Sequence, residues 1–210
     1  KNYVDKRSIK QKLSPLKKGK KINVFSCFRN NGEVLLMFEN GMKDIELKNK
    51  NENFIYYFFE NDSTDKTPYW ILDWLRVRNG FYTLTKTNKK QWSDIKSLER
   101  VKDMALYRNA MKQLCEDFTD SDYSLIIDTG VEFNNECYQK MKDKLDEDKS
   151  IVMVTPYGKV YGTNEYYDTY ALEKLDKKSK SYKKEKFTEV KSAFCGFVMI
   201  RTWVLELCHW

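Results

Sequence analysis

Short, continuous apolar runs recur along this chain, and most of them are followed by a polar loop and a helical pattern. The first two are residues 21–28 (KINVFSCF) and 53–62 (NFIYYFFEND), and further runs cover 81–85, 123–130 and 150–157. Runs that do not alternate with polar residues are typical of parallel strands buried on both faces. Repeated strand-then-helix order places the helices on both faces of such a sheet. The pattern therefore predicts an α/β fold with a mostly parallel central sheet.

The helical segments show apolar residues at intervals of three and four. In residues 33–50 these positions form one stripe, made of Val34, Met37, Phe38, Met42 and Ile45. A second helix is predicted over 68–79, capped by Asp65 or Thr67 and ended by Gly80. Two more helices are predicted over 97–118 and 134–149, the first opening at Ser97.

Length and composition favour one folded domain. The chain has 210 residues, of which 41% are hydrophobic and 15% aromatic, which is too apolar for a disordered chain. We predict a basic arm over residues 1–20 and a single domain over 21–210, whose last helix continues past Trp210. The formal charge of +7 comes from dispersed lysines. It favours a solvated surface over a nucleic-acid partner.

No run of about 18 apolar residues and no leader-peptide pattern is present in the sequence. We therefore predict no membrane segment in this stretch of chain and a cytoplasmic location. A location in the lumen of the Golgi is the alternative if an anchor precedes the sequence.

Familiar catalytic and nucleotide-binding motifs are missing. Neither GxGxxG nor GxxxxGK[ST] nor GxSxG occurs, which argues against a dinucleotide, P-loop or serine-hydrolase site. The five cysteines lie far apart without a CxxC pair, so a zinc site has little support. The single histidine, His209, is interpreted as a helix-surface residue.

Polar residues follow three of the predicted strands, at SCFRNNG, ENDSTDKT and DTG. In open α/β sheets the ligand binds outside the carboxyl ends of the strands. Turn and capping chemistry explains the hydroxyl-rich loop equally well, through Ser63, Thr64, Asp65 and Thr67. Glu60 and Asp62 are harder to explain as caps, and we interpret them as candidates for binding a base or a ribose.

Asp128 closes the predicted strand 123–127 and has two interpretations. A carboxylate at a strand end can hold a divalent cation that takes up charge on a diphosphate. Asp-Thr-Gly is also an ordinary turn sequence. Arg100 and Arg108 lie beside the apolar stripe of their helix, and each can either pack over the core or bind a phosphate. The structural role is favoured for Arg108, and both roles stay open for Arg100.

Five segments in this order resemble the GT-A type of nucleotide-sugar glycosyltransferase, and more narrowly the cryptococcal α-1,3-mannosyltransferase and capsule-associated protein family with related sequences from large viruses. The segments are ENDSTDKT, SLERVKDMALYRNAMKQL, DYSLIIDTGVEF, YYDTYAL and VKSAFCGFVMIR, and the resemblance covers roughly residues 21–205. It implies a GT-A domain that takes a UDP- or GDP-hexose as donor and a glycan as acceptor. It also implies Mn²⁺ or Mg²⁺ as cofactor and a retaining reaction. It further implies a viral protein that acts in glycan biosynthesis.

The resemblance assigns roles to individual residues. Donor-binding roles fall on Ser26, Phe28, Arg29, Glu60, Asp62, Arg100, Asp128, Ser192 and Gly196. For Ser192 and Gly196, tight strand packing is an equal interpretation. Asp128 matches the first acid of the DxD metal motif, but Gly130 stands where the second acid is usual, and Glu132 lies two residues further on. Asp168, in YYDTYAL, is predicted to hydrogen-bond the sugar or to act as the base on the acceptor hydroxyl, and its other interpretation is a loop acid beside core tyrosines.

Three alternatives to an active transferase remain from the sequence. A catalytically inactive GT-A domain with an assembly role follows from the missing second acid. A sugar nucleotidyltransferase is disfavoured because the glycine-rich phosphate loop is missing. A basic nucleic-acid-binding domain requires aromatic residues on an exposed sheet face, which continuous apolar strands argue against.

Overall fold

The apolar runs pair into a seven-stranded sheet within the described residues. The computed structural model describes residues 7–10, 15–89, 97–114, 120–163, 165–166, 172–175 and 187–208. The strands of this sheet are β1 (Arg7–Lys10), β2 (Lys21–Phe28), β3 (Asn53–Asn61), β4 (Gly80–Thr85), β5 (Tyr123–Ile127), β6 (Met153–Val154) and β9 (Phe197–Arg201). A separate two-stranded ribbon consists of β7 (Glu173–Lys174) and β8 (Val190–Ser192).

The sheet is mostly parallel, as predicted. Its strand order is β1-β4-β3-β2-β5-β9-β6. The four strands β4, β3, β2 and β5 run parallel, whereas β1 and β9 are antiparallel to their neighbours. The carboxyl ends of these four parallel strands therefore lie at the same edge of the sheet.

Helices cover both faces of this sheet. They are α1 (Leu35–Lys48), α2 (Thr67–Leu75), α3 (Leu98–Gln113), α4 (Asn135–Glu147) and α5 (Thr202–Leu207). Helices α1, α2 and α4 pack on one face through buried side chains that include Phe38, Trp74 and Tyr138. On the other face, Tyr107 and Met111 of α3 and Leu205 of α5 pack against a second apolar cluster. Successive strand residues supply opposite faces because the side-chain period of a strand is two.

Local sequence signals set two helix starts. Ser97 precedes α3, and its hydroxyl accepts the N–H of Arg100 at 3.2 Å. Asn134 precedes α4, and its side-chain oxygen accepts the N–H of Cys137 at 3.0 Å. Both are side-chain caps that satisfy a backbone donor left free in the first turn of a helix.

Two helix predictions differ from the structure. The buried stripe of α1 is Leu35, Phe38, Met42 and Ile45 rather than one that includes Val34 and Met37. Phe38, Met42 and Ile45 are buried as predicted, whereas Val34 and Met37 each lie one residue, or about 100° of helix rotation, before a buried position. Helix α2 ends at Leu75, and Gly80 is the first residue of β4 instead of a helix terminator. A Cβ at Gly80 would lie 2.7 Å from the carbonyl oxygen of Tyr56, which explains a glycine there.

One strand prediction also differs. The run at 150–157 contributes only Met153–Val154, which pairs with β9, and Met153 is 40% exposed. The strand beside β5 is β9, which comes last along the chain. Within the predicted basic arm of residues 1–20, Arg7–Lys10 pairs antiparallel with β4. This strand covers an edge of the sheet that would otherwise expose unpaired backbone groups.

The two covered faces bear on the nucleic-acid alternative. That alternative needs aromatic rings on an open sheet face, yet the aromatic side chains of β2 and β3 are buried beneath helices, except for the partly buried Phe54. Among the described residues, none of the helices has the length and apolar character needed to cross a membrane.

Candidate functional site

The carboxyl ends of the parallel strands form one edge, and the loops that follow them leave the sheet side by side. Strands β2 and β3 end together, since their register pairs Phe28 with Glu60. Strand β5 is fastened to β2 near the same edge by a hydrogen bond of 2.7 Å from Ser26 Oγ to the carbonyl of Ile127. The edge is therefore the predicted place for a ligand.

The loop after β2 (residues 29–32) is tied to the loop after β3 (residues 62–67), and we call these two segments the paired loops. The N–H of Asn30 donates to Ser63 Oγ at 2.9 Å, and Asn30 Oδ1 accepts the N–H of Thr64 at 2.7 Å. The N–H of Gly32 donates to Asp65 Oδ2 at 2.8 Å. The turn and cap residues thus hold one loop against the other, which fixes both at the strand ends.

Asp62 joins the paired loops to the segment after β4. Its carboxylate accepts the N–H groups of Thr87 and Asn88 at 2.8 and 3.0 Å and the hydroxyl of Thr87. Its backbone lies in the left-handed region, with φ of 55°, where Asp and Asn are tolerated better than most residues. Burial opposes the charge, but these hydrogen bonds outweigh it and lower the pKa of Asp62. The described contacts of this carboxylate therefore hold the paired loops against the segment after β4.

Glu60 is a buried carboxyl group one residue before the end of β3. It is 4% exposed, and Oε1 accepts the N–H of Ser63 at 2.8 Å. Burial raises the pKa of Glu60; the Ser63 hydrogen bonds oppose this, and nearby Asp62 and Asp65 add to it. A buried acid that is costly to ionise and lies at the ligand edge is a candidate functional group.

Arg29 begins the first of the paired loops, and its guanidinium is only partly satisfied by protein. Nη2 donates to the carbonyl oxygen of Lys89. Nε and Nη1 are buried and find no hydrogen-bond partner among the described residues. Buried donors without partners are unfavourable for stability, so this arginine is a second candidate for binding a ligand.

Two predicted donor-binding residues, Ser26 and Phe28, are buried and make contacts within the protein. Ser26 is 1% exposed and gives its hydroxyl to the β2–β5 hydrogen bond described above. Phe28 is also 1% exposed, and its ring lies between Phe38 and Phe58, with centroids 5.7 and 4.9 Å away. Strand alternation directs both side chains onto the face covered by α1, α2 and α4.

Asp128 follows directly after β5 and makes two interactions that fix it. Its N–H donates to the carbonyl of Gly196 at 2.8 Å. Its Oδ1 accepts a hydrogen bond from Arg108 Nη2 at 2.9 Å, and the two side chains are 32% and 16% exposed. The prediction that Asp128 ends a strand is confirmed, and the carboxylate has a charged partner.

The sequence interpretation favoured a packing role for Arg108, and the structure adds an ion pair. Its guanidinium carbon lies 4.5 Å from the centroid of the Phe194 ring, in the turn before β9. The spacing of Arg108 on the sheet-facing side of α3 was visible in the sequence. Its partner was not, because Asp128 is brought to it only by the pairing of β5 with β2.

Cys27, at the end of β2, lies close to this ion pair. Burial raises the pKa of its thiol to about 12, while the charges of Arg108 and Asp128 act in opposite directions. Burial therefore disfavours the thiolate, which is the nucleophilic form of a cysteine.

The remaining predicted site residues are spread out. Arg100 lies in the first turn of α3, about 12 Å along the helix axis from Arg108. Ser192 is exposed at the end of β8, in the ribbon outside the main sheet. Gly196 has a φ of +67°, and a Cβ there would meet Val131 Cγ2 at 2.6 Å, so the close approach it permits is to protein. Asp168 lies outside the described residues.

The described residues around Asp128 do not form a metal site made of protein ligands alone. Gly130 turns the chain with a φ of +89°, and Glu132 is exposed. In the part of the chain that the structure describes, no three His, Cys, Asp or Glu side chains form a group that could hold a metal. The charge of Asp128 is compensated by Arg108, whereas Mg²⁺ is usually bound through one or two carboxylates together with substrate phosphates and water.

The sheet order and the helices on both faces match the GT-A fold of solved glycosyltransferases. S. aureus TarS residues 1–349 superimposes with a TM-score of 0.55 at 14% identity, over 89% of this chain and 48% of TarS. Its complex with UDP-GlcNAc gives a TM-score of 0.53 at 15% identity, over 89% of this chain and 46% of TarS. This chain thus spans about half the length of TarS 1–349.

A mannosyltransferase, PcManGT from Pyrobaculum calidifontis, in complex with GDP-Man and Mn²⁺, matches over 70% of this chain and 38% of its own at 14% identity, with a TM-score of 0.44. No protein-family profile matches the sequence, and no curated protein matches it. The GT-A prediction is confirmed at the level of fold, whereas the narrower resemblance to the cryptococcal and viral family stays a prediction.

Proposed function

We propose that this chain is a nucleotide-sugar-dependent glycosyltransferase that moves a hexose from a UDP- or GDP-hexose to a hydroxyl group of a glycan. The observation that supports it most is the GT-A fold itself, with its polar loops gathered at the carboxyl ends of the parallel strands. In a sheet of this kind that edge is where a nucleotide binds.

The paired loops are the proposed nucleotide side of the crevice. Arg29 offers buried donors to a base or a phosphate, and Glu60 offers an acceptor to the ribose hydroxyls. A uridine donor is the first to test, because the solved TarS complexes contain UDP and UDP-GlcNAc. The GDP-hexose alternative comes from the resemblance to α-mannosyltransferases.

The proposed acceptor side includes Asp168 as the base that takes the proton of the attacking hydroxyl. Such a base contributes typically about 10²–10⁴-fold to a rate. Asp168→Asn is therefore expected to lower kcat by at least about 100-fold while leaving the Kd for the nucleotide unchanged. Unchanged turnover would show that Asp168 is not the base. Retention of the anomeric configuration, also part of the proposal, is tested by NMR of the product's anomeric proton.

Thermal shift with a panel of nucleotides tests the proposal directly. The panel comprises UDP, GDP, UDP-Glc, UDP-GlcNAc and GDP-Man, each with Mn²⁺ and with EDTA, and uses ATP as the control ligand. A ligand at 100 times its Kd stabilises the native state by about 2.7 kcal/mol, which raises the Tm of a domain this size by roughly 5–10 °C. A stabilising sugar nucleotide is then assayed for hexose transfer to glycan acceptors.

Two outcomes contradict the proposal in different ways. No shift with any of the five nucleotides in either condition would remove the transferase assignment. Stabilisation by a nucleotide, together with no hydrolysis or transfer on any acceptor, would favour the inactive GT-A alternative.

A further inference from the structure

A fixed positive charge lies at the carboxyl end of β5. Arg108 reaches this edge from α3, and its Nη2 donates to Asp128 Oδ1 over 2.9 Å. The Arg108 side chain is only 16% exposed, so its charge is screened less by solvent than that of a surface lysine.

The guanidinium is held from two sides. Asp128 binds it on one side, and the Phe194 ring lies 4.5 Å from the guanidinium carbon on another. Asp128 is itself fixed to the turn before β9 by its backbone hydrogen bond to Gly196. An arginine placed by a carboxylate and an aromatic ring loses little further side-chain freedom when it binds an anion, since its planar fork is already oriented.

The same carboxylate is the one that the DxD resemblance assigns to a metal. A divalent cation bound to Asp128 would lie next to the guanidinium charge, and two cations sharing one carboxylate repel each other. Gly130 removes the second carboxylate that would offset this repulsion. The chain therefore places one permanent cation where the metal was expected.

We propose that Arg108, positioned by Asp128, takes up the negative charge of the donor diphosphate in place of a protein-held divalent cation. This inference rests on the proposed glycosyltransferase function and names a further catalytic residue for it. A guanidinium donates two parallel hydrogen bonds to phosphate oxygens, which makes it a suitable partner for a diphosphate.

The charge that Arg108 compensates arises from the transfer itself. Overall, the bond between the anomeric carbon and the diphosphate oxygen breaks, and its electron pair stays on that oxygen. The acceptor oxygen forms the new bond to the anomeric carbon, and its proton passes to a base. The nucleoside diphosphate thus leaves with one more negative charge than it carried in the donor, and a fixed cation at that position stabilises the transition state.

Calorimetric titration with UDP and UMP, each in EDTA and in Mn²⁺, tests the inference, with GDP and GMP used if the guanine series is the one that binds. The variants are Arg108→Gln, Arg108→Lys and Asp128→Asn. The control is Lys102→Gln, which removes one positive charge from an exposed position on the same helix. The ratio of the Kd for UMP to the Kd for UDP reports on diphosphate binding and is insensitive to a general loss of folded protein.

The wild-type Kd for UDP is expected to change less than twofold between EDTA and Mn²⁺. Arg108→Gln is expected to raise the Kd for UDP at least tenfold and the Kd for UMP much less, so that the ratio of the two Kd values approaches one. Arg108→Lys should restore part of the ratio, Asp128→Asn should lower it, and Lys102→Gln should leave it within twofold. An unchanged ratio in Lys102→Gln would show that the weaker UDP binding of Arg108→Gln does not come from the change in net charge alone.

Three results would overturn the inference. If EDTA abolishes UDP binding by the wild type and Mn²⁺ restores it, a metal holds the diphosphate, while the transferase proposal stands. If Arg108→Gln keeps the wild-type Kd ratio, Arg108 has a packing role only, and again the transferase proposal stands. If neither UDP nor GDP binds under any condition, the proposed function fails, and this inference fails with it.

Discussion

The backbone N–H of Asp128 donates to the carbonyl of Gly196 over 2.8 Å, which joins the end of β5 to the turn that precedes β9. Gly196 has a φ of +67°, and Cys195 before it has a φ of 54°. Two consecutive left-handed residues reverse the chain sharply here. The position of Asp128, and with it that of the Arg108 cation, therefore depends on a glycine that is distant in sequence.

Gly196→Ala is expected to destabilise the protein by about 2–4 kcal/mol, because the left-handed backbone and the contact with Val131 Cγ2 both oppose a Cβ. Gly162→Ala is the matched control. Gly162 has a φ of +75°, but no atom of the described residues lies within 4 Å of a Cβ there. The free energy of unfolding of Gly162→Ala should therefore fall only by the cost of the left-handed backbone, about 1–2 kcal/mol. Urea denaturation measures both, and adding Val131→Ala to Gly196→Ala should recover part of the loss. Equal losses at the two glycines would contradict the steric account.

Asp62→Asn tests the loop-organising role of that carboxylate. Asparagine tolerates the left-handed backbone but loses the charge that accepts hydrogen bonds from Thr87 and Asn88. The free energy of unfolding at pH 7 should fall by about 1–3 kcal/mol.

The pH dependence of this loss follows from the lowered pKa of Asp62. Its stabilising contribution is present above its unfolded pKa, near 3.9, and is lost as pH falls through the folded pKa. The difference between wild type and Asp62→Asn should therefore shrink below about pH 4. Asp73→Asn, at an exposed acid on α2, is the control and should show no such difference. A constant difference across pH would rule out the charge as the cause.

Glu60→Gln is expected to leave stability at pH 7 equal to or higher than that of the wild type. Burial raises the pKa of Glu60, so the folded state binds its proton more tightly than the unfolded state does. Stability is then lost as pH rises from the unfolded pKa, near 4.3, through the folded pKa. Glutamine removes this loss and keeps an oxygen for the N–H of Ser63.

The same variant should bind UDP at least about tenfold more weakly, because a hydrogen bond to a charged acceptor contributes about 1.5–3 kcal/mol. Denaturation at pH 4 and pH 7, combined with calorimetry, separates the two effects. A variant that is less stable than the wild type at pH 7 yet binds UDP normally would make Glu60 a structural residue.

Arg29→Gln tests the nucleotide side of the crevice. Because Nε and Nη1 of Arg29 are buried without a described partner, the free protein should lose little stability. The Kd for UDP should rise by at least about tenfold if these donors bind the nucleotide. Arg76→Gln, at the exposed arginine that follows α2, provides the comparison and should leave the Kd unchanged. Equal Kd values in all three proteins would place the nucleotide elsewhere.

Much of the fold was predictable because it depends on local patterns. The apolar runs at 21–28, 53–62 and 123–127 identify buried parallel strands without any tertiary information. Ser97 starts its helix through a short-range hydrogen bond that its own side chain makes. Where prediction failed, the deciding contact was distant. Gly80 resembles a helix terminator locally, but the Tyr56 backbone is what requires it.

The sequence by itself determined the class of fold, the strand ends at which polar residues collect, and the identity of Asp128 as the residue that follows β5. Only the tertiary structure decided that β9 returns beside β5, that Phe28 is a core side chain, and that Arg108 meets Asp128. The physical reason is that backbone propensity and apolar periodicity act over a few residues. An ion pair across 20 positions instead depends on where two separate elements come to rest on the same sheet.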